Sequence, residues 1–251
     1  MKRSIKKDLY KYTADAKYIR NLKNSHQEER CFIIGNGPSL TIEDLNLLKN
    51  EFCFAFNRVF EVFNETDWRP SIYMCVDKNV LRDFHEDLME FEFPILALEA
   101  EKYKAFYQKK NVKQIENYVP FLVNRYGRVK EIPFSEDASI CMYGGATVTY
   151  TAMQLAFYMG FEEIYLLGVD HSYSHSIDST GKLTVDNSVK NYFGNMKTLS
   201  YTVQAVETVN AAYDSAAKYA KSHGLKIYNV TRGGKLECFP RALLEDVLQK
   251  K

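Results

Sequence analysis

Apolar positions along this chain come in short unbroken runs. Residues 31–34, 52–56, 71–76, 94–98 and, after Glu163, 164–167 are apolar or small at successive positions, with little of the alternation that marks a half-exposed strand. Such runs predict strands buried on both faces. Residues 112–118 and 226–230 extend the set. Segments with helical spacing lie between them, at 41–49, 79–90, 100–109, 145–160, 199–222 and 240–249. Residues 172–198 are polar and lack periodicity, which predicts a long loop or lid. Strands alternating with helices predict an α/β fold: a doubly wound, Rossmann-like, mostly parallel sheet with helices on both faces. Ligands in that plan sit beyond the carboxyl ends of the strands. The unusual polar residues fall there. Asn36 and Ser39 follow the first run, Asn57 the second, Asp77 the third, and Asp170 with His171 follows 163–167.

The first 24 residues differ from the rest. They carry eight Lys and Arg against two Asp, with Ile5, Leu9, Tyr12, Ala16, Ile19 and Leu22 near helical spacing. This predicts a basic amphipathic helix over 1–28, ahead of a nucleotide-binding transferase domain over 29–251. Its apolar face either packs on the domain or lies on an anionic membrane surface. Whole-chain charge is balanced, 33 Lys+Arg against 32 Asp+Glu, so nothing draws the chain as a whole toward nucleic acid. No apolar run reaches the length of a transmembrane helix. Five cysteines without a CxxC pair indicate reduced core thiols in a cytoplasmic protein, or one peripheral at the inner face of the membrane. The histidines do not cluster as zinc ligands would.

Chemistry concentrates at two glycine turns. Gly35, Asn36, Gly37, Pro38 and Ser39 join the first strand to the first helix of the domain. Glycines let backbone N–H groups approach a phosphate, and Ser39 or Thr41 can cap the helix. The spacing is neither a Walker loop nor a dinucleotide fingerprint. Gly144 and Gly145 open the helix at 145–160, with hydroxyls at Thr147 and Thr149. They predict a second nucleotide contact or a tight helix–sheet approach. Asp77 and Asp170 end strands expected to be neighbours. They could hold Mg²⁺ beside a diphosphate, accept ribose hydroxyls or cap loops. His171 is placed to act as a general base. Tyr173 and Tyr192 flank the polar loop as candidate substrate contacts.

Four segments carry a family resemblance: 33–40, 144–150, 163–173 and 229–241. Together they resemble the 6-hydroxymethylpterin diphosphokinase-like family of bacteria and archaea. The same blocks are similar to the bacterial sialyltransferases of glycosyltransferase family 42, whose opening motif matches Gly35–Ser39. Their asparagine after the second strand matches Asn57, and their Gly-Ile-Asp matches 168–170. The resemblance implies a nucleotide with phosphates near Asn36, Ser39 and the 144–149 turn. It also implies a metal-free CMP-sugar donor and no tightly bound cofactor. Two positions depart. Glu207 stands where those enzymes carry a late-helix histidine, and Asp77 where they carry an asparagine. A carboxylate at 207 can still take a proton from a sugar hydroxyl.

The leading expectation is therefore a nucleotide-dependent transferase, a glycosyltransferase acting on a glycan acceptor in bacterial surface glycan synthesis. His171, Glu207 and Asp170 are its candidate catalytic residues. The alternative is a diphosphokinase moving diphosphate from ATP to a hydroxymethylpterin, with Asp77 and Asp170 on Mg²⁺. A non-catalytic nucleotide-binding protein is the third reading. Each is compatible with a homo-oligomer.

Overall fold

The computed structural model describes residues 9–98, 103–118, 131–178, 180–194 and 203–249. Among them, seven strands form one parallel sheet: β1 (Arg30–Ile34), β2 (Cys53–Phe56), β3 (Ile72–Cys75), β4 (Ile95–Leu98), β5 (Val112–Ile115), β8 (Glu163–Leu167) and β12 (Lys226–Asn229). Their spatial order is β12-β8-β1-β2-β3-β4-β5. The chain builds outward from β1 in one direction, then returns to the other side of β1 with β8. The order reverses between β1 and β8, which is where a doubly wound sheet opens its crevice.

Both faces of the sheet are dry, which explains the unbroken apolar runs. Cys31, Ile33, Phe54, Met74, Leu96, Ile164 and Leu166 point to one core. Their neighbours Phe32, Ile34, Cys53, Ala55, Tyr73, Ile95, Tyr165 and Leu167 point to the other. The first face is covered by α1 (Ala14–Asn21), α5 (Val148–Met159) and α6 (Val206–His223), through Ile19, Tyr150, Leu155, Val209, Ala212 and Ala216. The second is covered by α2 (Ile42–Leu47), α3 (Lys78–Leu88), α4 (Lys104–Gln108) and α7 (Leu244–Gln249), through Leu45, Leu81, Phe106 and Val247. All five cysteines are free, and four of them are buried.

Residues 9–21 close one margin of the sheet. Ala16 and Ile19 are fully buried. The Tyr10 hydroxyl donates to the carbonyl of Gln114 in β5 at 3.0 Å, and the Gln114 N–H donates to Asp15 Oδ2 at 3.1 Å. The apolar face of the N-terminal helix thus packs on the domain. No helix among the described residues is long and apolar enough to cross a membrane.

Three elements differ from the sequence expectation. The expected helix over 1–28 is interrupted at 11–13, where Thr13 caps α1, and it ends at Asn21. The segment at 172–198 is not loop throughout. β9 (His175–Ile177) pairs antiparallel with β10 (Leu183–Val185) and parallel with β11 (Gln204–Ala205). These strands are short and largely exposed, so no buried face imposes a periodic apolar pattern on them. The late helix starts at Val206 rather than 199, because Gln204 and Ala205 are committed to β9. The expected helical residues at 1–8, 100–102 and 199–202 lie outside the described residues. Two further short strands, β6 (Asn117–Tyr118) and β7 (Met142–Tyr143), form a separate parallel pair.

A buried carboxylate ties the two ends of the domain together. Asp44 on α2 has no exposed surface, and it receives both Arg232 guanidinium nitrogens, at 2.5 and 2.6 Å. It also accepts the Thr41 N–H, closing a capping box in which the Asp44 N–H donates to Thr41 Oγ1. We expect Asp44→Ala to lower stability by about 2–4 kcal/mol in urea unfolding. It removes a charge-assisted pair and a helix cap, but it leaves Arg232 half exposed and solvated.

Candidate functional site

Two turns meet at the switch point between β1 and β8. The Gly35 N–H donates to the Leu167 carbonyl at 2.8 Å, and the Gly37 N–H to the Gly168 carbonyl at 2.9 Å. A Cβ on Gly35 would stand 2.3 Å from the Gly168 oxygen, and one on Gly37 would stand 1.9 Å from Asp170 Oδ2. Both glycines are therefore required by backbone approach. Asp170 fastens the turns together: its Oδ2 accepts the Ser39 hydroxyl at 2.7 Å. Burial pushes the Asp170 carboxyl above its ordinary value, and the Ser39 hydrogen bonds partly offset this. The cap of α2 is Thr41, so Ser39 is left to serve Asp170.

The segment after β12 holds this arrangement from behind. The Thr231 hydroxyl donates to the Leu166 carbonyl and accepts the Val169 N–H. The Lys235 N–H donates to the Asp170 carbonyl at 2.8 Å. Gly234, at φ 74, lies so close that a Cβ would stand 2.9 Å from that same carbonyl.

Opposite the glycine turn stands the N-terminus of α5. Thr147 occupies its N-cap position without a side-chain capping bond, and Thr147, Val148 and Thr149 line the cleft. The first-turn N–H groups of a helix lack intrahelical acceptors and carry partial positive charge. Gly145 serves packing: a Cβ there would stand 2.3 Å from the Ala212 Cβ on α6. The Gly144 N–H donates to the Tyr118 carbonyl.

The cleft has a cavity volume of about 170 Å³ and gathers Gly35, Asn36, Gly37, Asn57, Thr147, Thr149, Asp170, His171, Tyr173 and Tyr192. A second lobe continues from Asn57, Thr147, Tyr173 and Tyr192 to Arg58, Asp77, Lys78, Asn117 and Gly144. Asn36 Nδ2 donates to the Phe56 carbonyl, while its Oδ1 is buried without a partner. The Oδ1 atoms of Asn57 and Asn117 are buried and unpartnered in the same way. Three non-glycine residues here adopt left-handed backbone: Asn57 at φ 49, Ala146 at φ 56 and His171 at φ 53. The Arg58 guanidinium lies over the Tyr192 ring, 5.4 Å from its centroid.

His171 is less free than the sequence suggests. Its Nε2 donates to Asn210 Oδ1 at 2.5 Å, and its Nδ1 meets the Tyr173 hydroxyl at 3.0 Å. Burial lowers its pKa below the usual histidine value, and the Lys235 charge adds to this against the Asn210 hydrogen bond.

Glu207 requires a correction. It is exposed on the first turn of α6 and does not line either lobe. The helix directs Asn210 and Tyr213 toward His171 instead. A carboxylate at that first turn suits the helix dipole. The expected pairing of Asp77 with Asp170 also fails. β1 and β2 separate β3 from β8, so their strand ends lie three ladder spacings apart, roughly 14 Å. Asp77 caps α3, accepting the Asn79 N–H at 2.8 Å. Among the described residues, no group of three or more His, Cys, Asp and Glu could hold a metal ion.

Sequence reasoning missed Asn210, Asn117, Gln204 and the Asp44–Arg232 pair. Asn210 was within reach, being one helical turn beyond Glu207 on the same helix. The others depend on contacts across long stretches of chain.

Comparison with known proteins gives two kinds of match. The family model described as MptE-like, 6-hydroxymethylpterin diphosphokinase MptE-like, matches residues 4–176. Among solved structures, the chain is similar to the sialyltransferase CstII from Campylobacter jejuni in complex with CMP-3FNeuAc. That likeness has 14% identity and a TM-score of 0.46, covering 85% of each chain. The same enzyme in complex with cytidine-5'-monophosphate gives 13% identity and a TM-score of 0.40, covering 86% of this chain and 85% of that one. No curated protein matches the sequence.

Two outcomes follow from the geometry. Gly37→Ala should break the two-turn contact and lower the melting temperature by several degrees, a cost of about 1–3 kcal/mol from overpacking. His171 should contribute an acid-side loss of stability. Its folded pKa is depressed, so below about pH 6.5 the unfolded chain takes up a proton that the folded chain does not, and stability falls as pH falls. His171→Gln should flatten that limb in urea titrations across pH 5–7.

Proposed function

The chain belongs to the 6-hydroxymethylpterin diphosphokinase MptE-like family, and from that premise we propose that it is a nucleotide-dependent transferase. The observation that carries this reading is the uncapped N-terminus of α5 facing the Gly35–Gly37 turn across the switch-point cleft. Such a helix end favours an anion, and the glycine turn lets a phosphate approach the backbone closely. Phosphates lie between Asn36 and Thr147–Thr149 on this reading. The unpartnered Asn57 and Asn117 oxygens offer acceptors to donor hydroxyl or amino groups.

The favoured reaction is glycosyl transfer from a nucleotide sugar, such as a CMP-sugar, to a glycan acceptor in surface glycan synthesis. The helix end and glycine turn stabilise charge on the departing phosphate without a metal. Diphosphate transfer from ATP to a hydroxymethylpterin is the reading favoured by the family's description. It calls for Mg²⁺ between phosphates and carboxylates, and Asp77 and Asp170 do not fit a shared ion. They lie three strand positions apart, one capping a helix and the other bound to Ser39. On the favoured reading the protein acts in the cytoplasm, with the basic N-terminal segment available to touch the inner face of the membrane.

A thermal-shift panel separates the two. CMP or a CMP-sugar without Mg²⁺ should stabilise the protein by about 2.7 kcal/mol at a hundredfold excess over Kd. Stabilisation by ATP only with Mg²⁺, and AMP release that requires a pterin, would establish the diphosphokinase instead. Asn36→Ala should weaken nucleotide binding by about 1.5–3 kcal/mol in calorimetry with the fold retained. Unchanged affinity removes Asn36 from the phosphate site.

A further inference from the structure

A base poised in a cleft needs a free lone pair directed at the substrate. His171 has none to spare. Its Nε2–H is donated to Asn210 Oδ1, which can only accept, so the imidazole is the Nε2–H tautomer and Nδ1 carries the lone pair. That lone pair faces the Tyr173 hydroxyl at 3.0 Å, so the phenol is the donor. The ring is boxed in by Tyr173 and Tyr213, both edge-on, with centroids at 5.4 and 5.5 Å. Its backbone is held left-handed at φ 53, one residue after the Asp170 carbonyl that Lys235 and Gly234 pin in place. Tyr173, by contrast, lines both lobes of the cleft. A hydroxyl that donates to His171 still has lone pairs to offer an incoming O–H.

We propose that the Tyr173 hydroxyl is the catalytic group that takes the acceptor's proton, that His171 Nδ1 receives the proton Tyr173 gives up, and that Asn210 is a positioning residue fixing the imidazole tautomer. This rests on the glycosyl-transfer reading and names the base within it. The bookkeeping of the step is closed. The acceptor O–H breaks as its oxygen bonds to the anomeric carbon of the donor. Its proton goes to Tyr173 Oη while the phenolic proton moves to Nδ1. The bond from that carbon to the leaving phosphate breaks, and its electron pair stays on the phosphate. His171 ends as an imidazolium, still donating from Nε2 to Asn210, and returns a proton to solvent after product leaves.

The surroundings favour a relay over a free phenolate. Burial raises the Tyr173 pKa, and Tyr213 and Asp170 add to it. The phenol therefore stays protonated near neutral pH and works as a base only while handing its own proton on. The charged or titratable groups bearing on the pair are Lys235 from the segment after β12, Asp170 from the β8 turn and Tyr213 from α6.

Two measurements test this. Long-range ¹⁵N–¹H correlation spectra of the full chain read the His171 tautomer without any substrate. The Nε2–H form is expected, and an Nδ1–H form overturns the relay. Nucleotide release from a CMP-sugar then reads turnover, and calorimetry with CMP reads binding. Tyr173→Phe should lower kcat by about 10²–10⁴-fold with CMP affinity retained, the scale for loss of a general base. Asn210→Asp should raise the His171 pKa and move the acid limb of the pH–rate profile to higher pH, which a merely structural role would not do. Wild-type kcat in Tyr173→Phe, or an unmoved limb in Asn210→Asp, overturns the relay while the transferase stands. If CMP and nucleotide sugars do not bind the wild type, the glycosyl-transfer reading falls and the relay's catalytic role falls with it.

Discussion

The carboxyl edge of the sheet depends on one close contact, the approach of the Gly35–Gly37 turn to the Gly168–Asp170 turn. Parallel strands leave adjacent loops free to diverge, and here they do not. Gly37 donates to the Gly168 carbonyl, and Ser39 bonds the Asp170 carboxylate across the gap. With the turns locked, the backbone after β8 enters the left-handed region at His171, and the cleft acquires its back wall. The Asp44–Arg232 pair and Thr231 brace the same contact from the second layer of the fold. Asn36, Asp170 and His171 are positioned by the two turns that this contact joins.

The electrostatics follow from the same arrangement. The open helix end of α5 supplies partial positive charge where, among the described residues, no lysine lines the first lobe of the cleft. Asp170 in that lobe is turned toward Ser39, whose hydrogen bonds favour the carboxylate against the opposing effect of burial. A negatively charged ligand entering between Asn36 and Thr147 meets dipoles that are already oriented. Such dipoles cost little reorganisation when charge develops on a leaving group.

Much of this was legible in the sequence, and the limits have physical causes. Strands buried on both faces announce themselves as unbroken apolar runs, so β1–β4 and β8 could be read directly. The strand-end rule then singled out Asn36, Ser39, Asn57, Asp77, Asp170 and His171, of which Asn36, Asn57, Asp170 and His171 line the first lobe. Strands β9–β11 escaped notice because they are short, with β10 exposed and β9 and β11 only half-buried, so no buried face marks them in the sequence. Strand adjacency was also invisible. Asp77 and Asp170 look equivalent at strand ends until the order of the sheet separates them. On the late helix Glu207 and Asn210 lie one turn apart and both are exposed, yet Asn210 reaches His171.

The N-terminal segment bears on the solution behaviour of the whole molecule. A sheet of parallel strands ends in an edge whose N–H and C=O groups can recruit a foreign strand. At β5 the central such pair, on Gln114, is already occupied by Asp15 and Tyr10. Side chains rather than another strand terminate the ladder there. Residues 9–21 thus act as a built-in stopper at the β5 edge, where the ladder ends on the chain's own side chains.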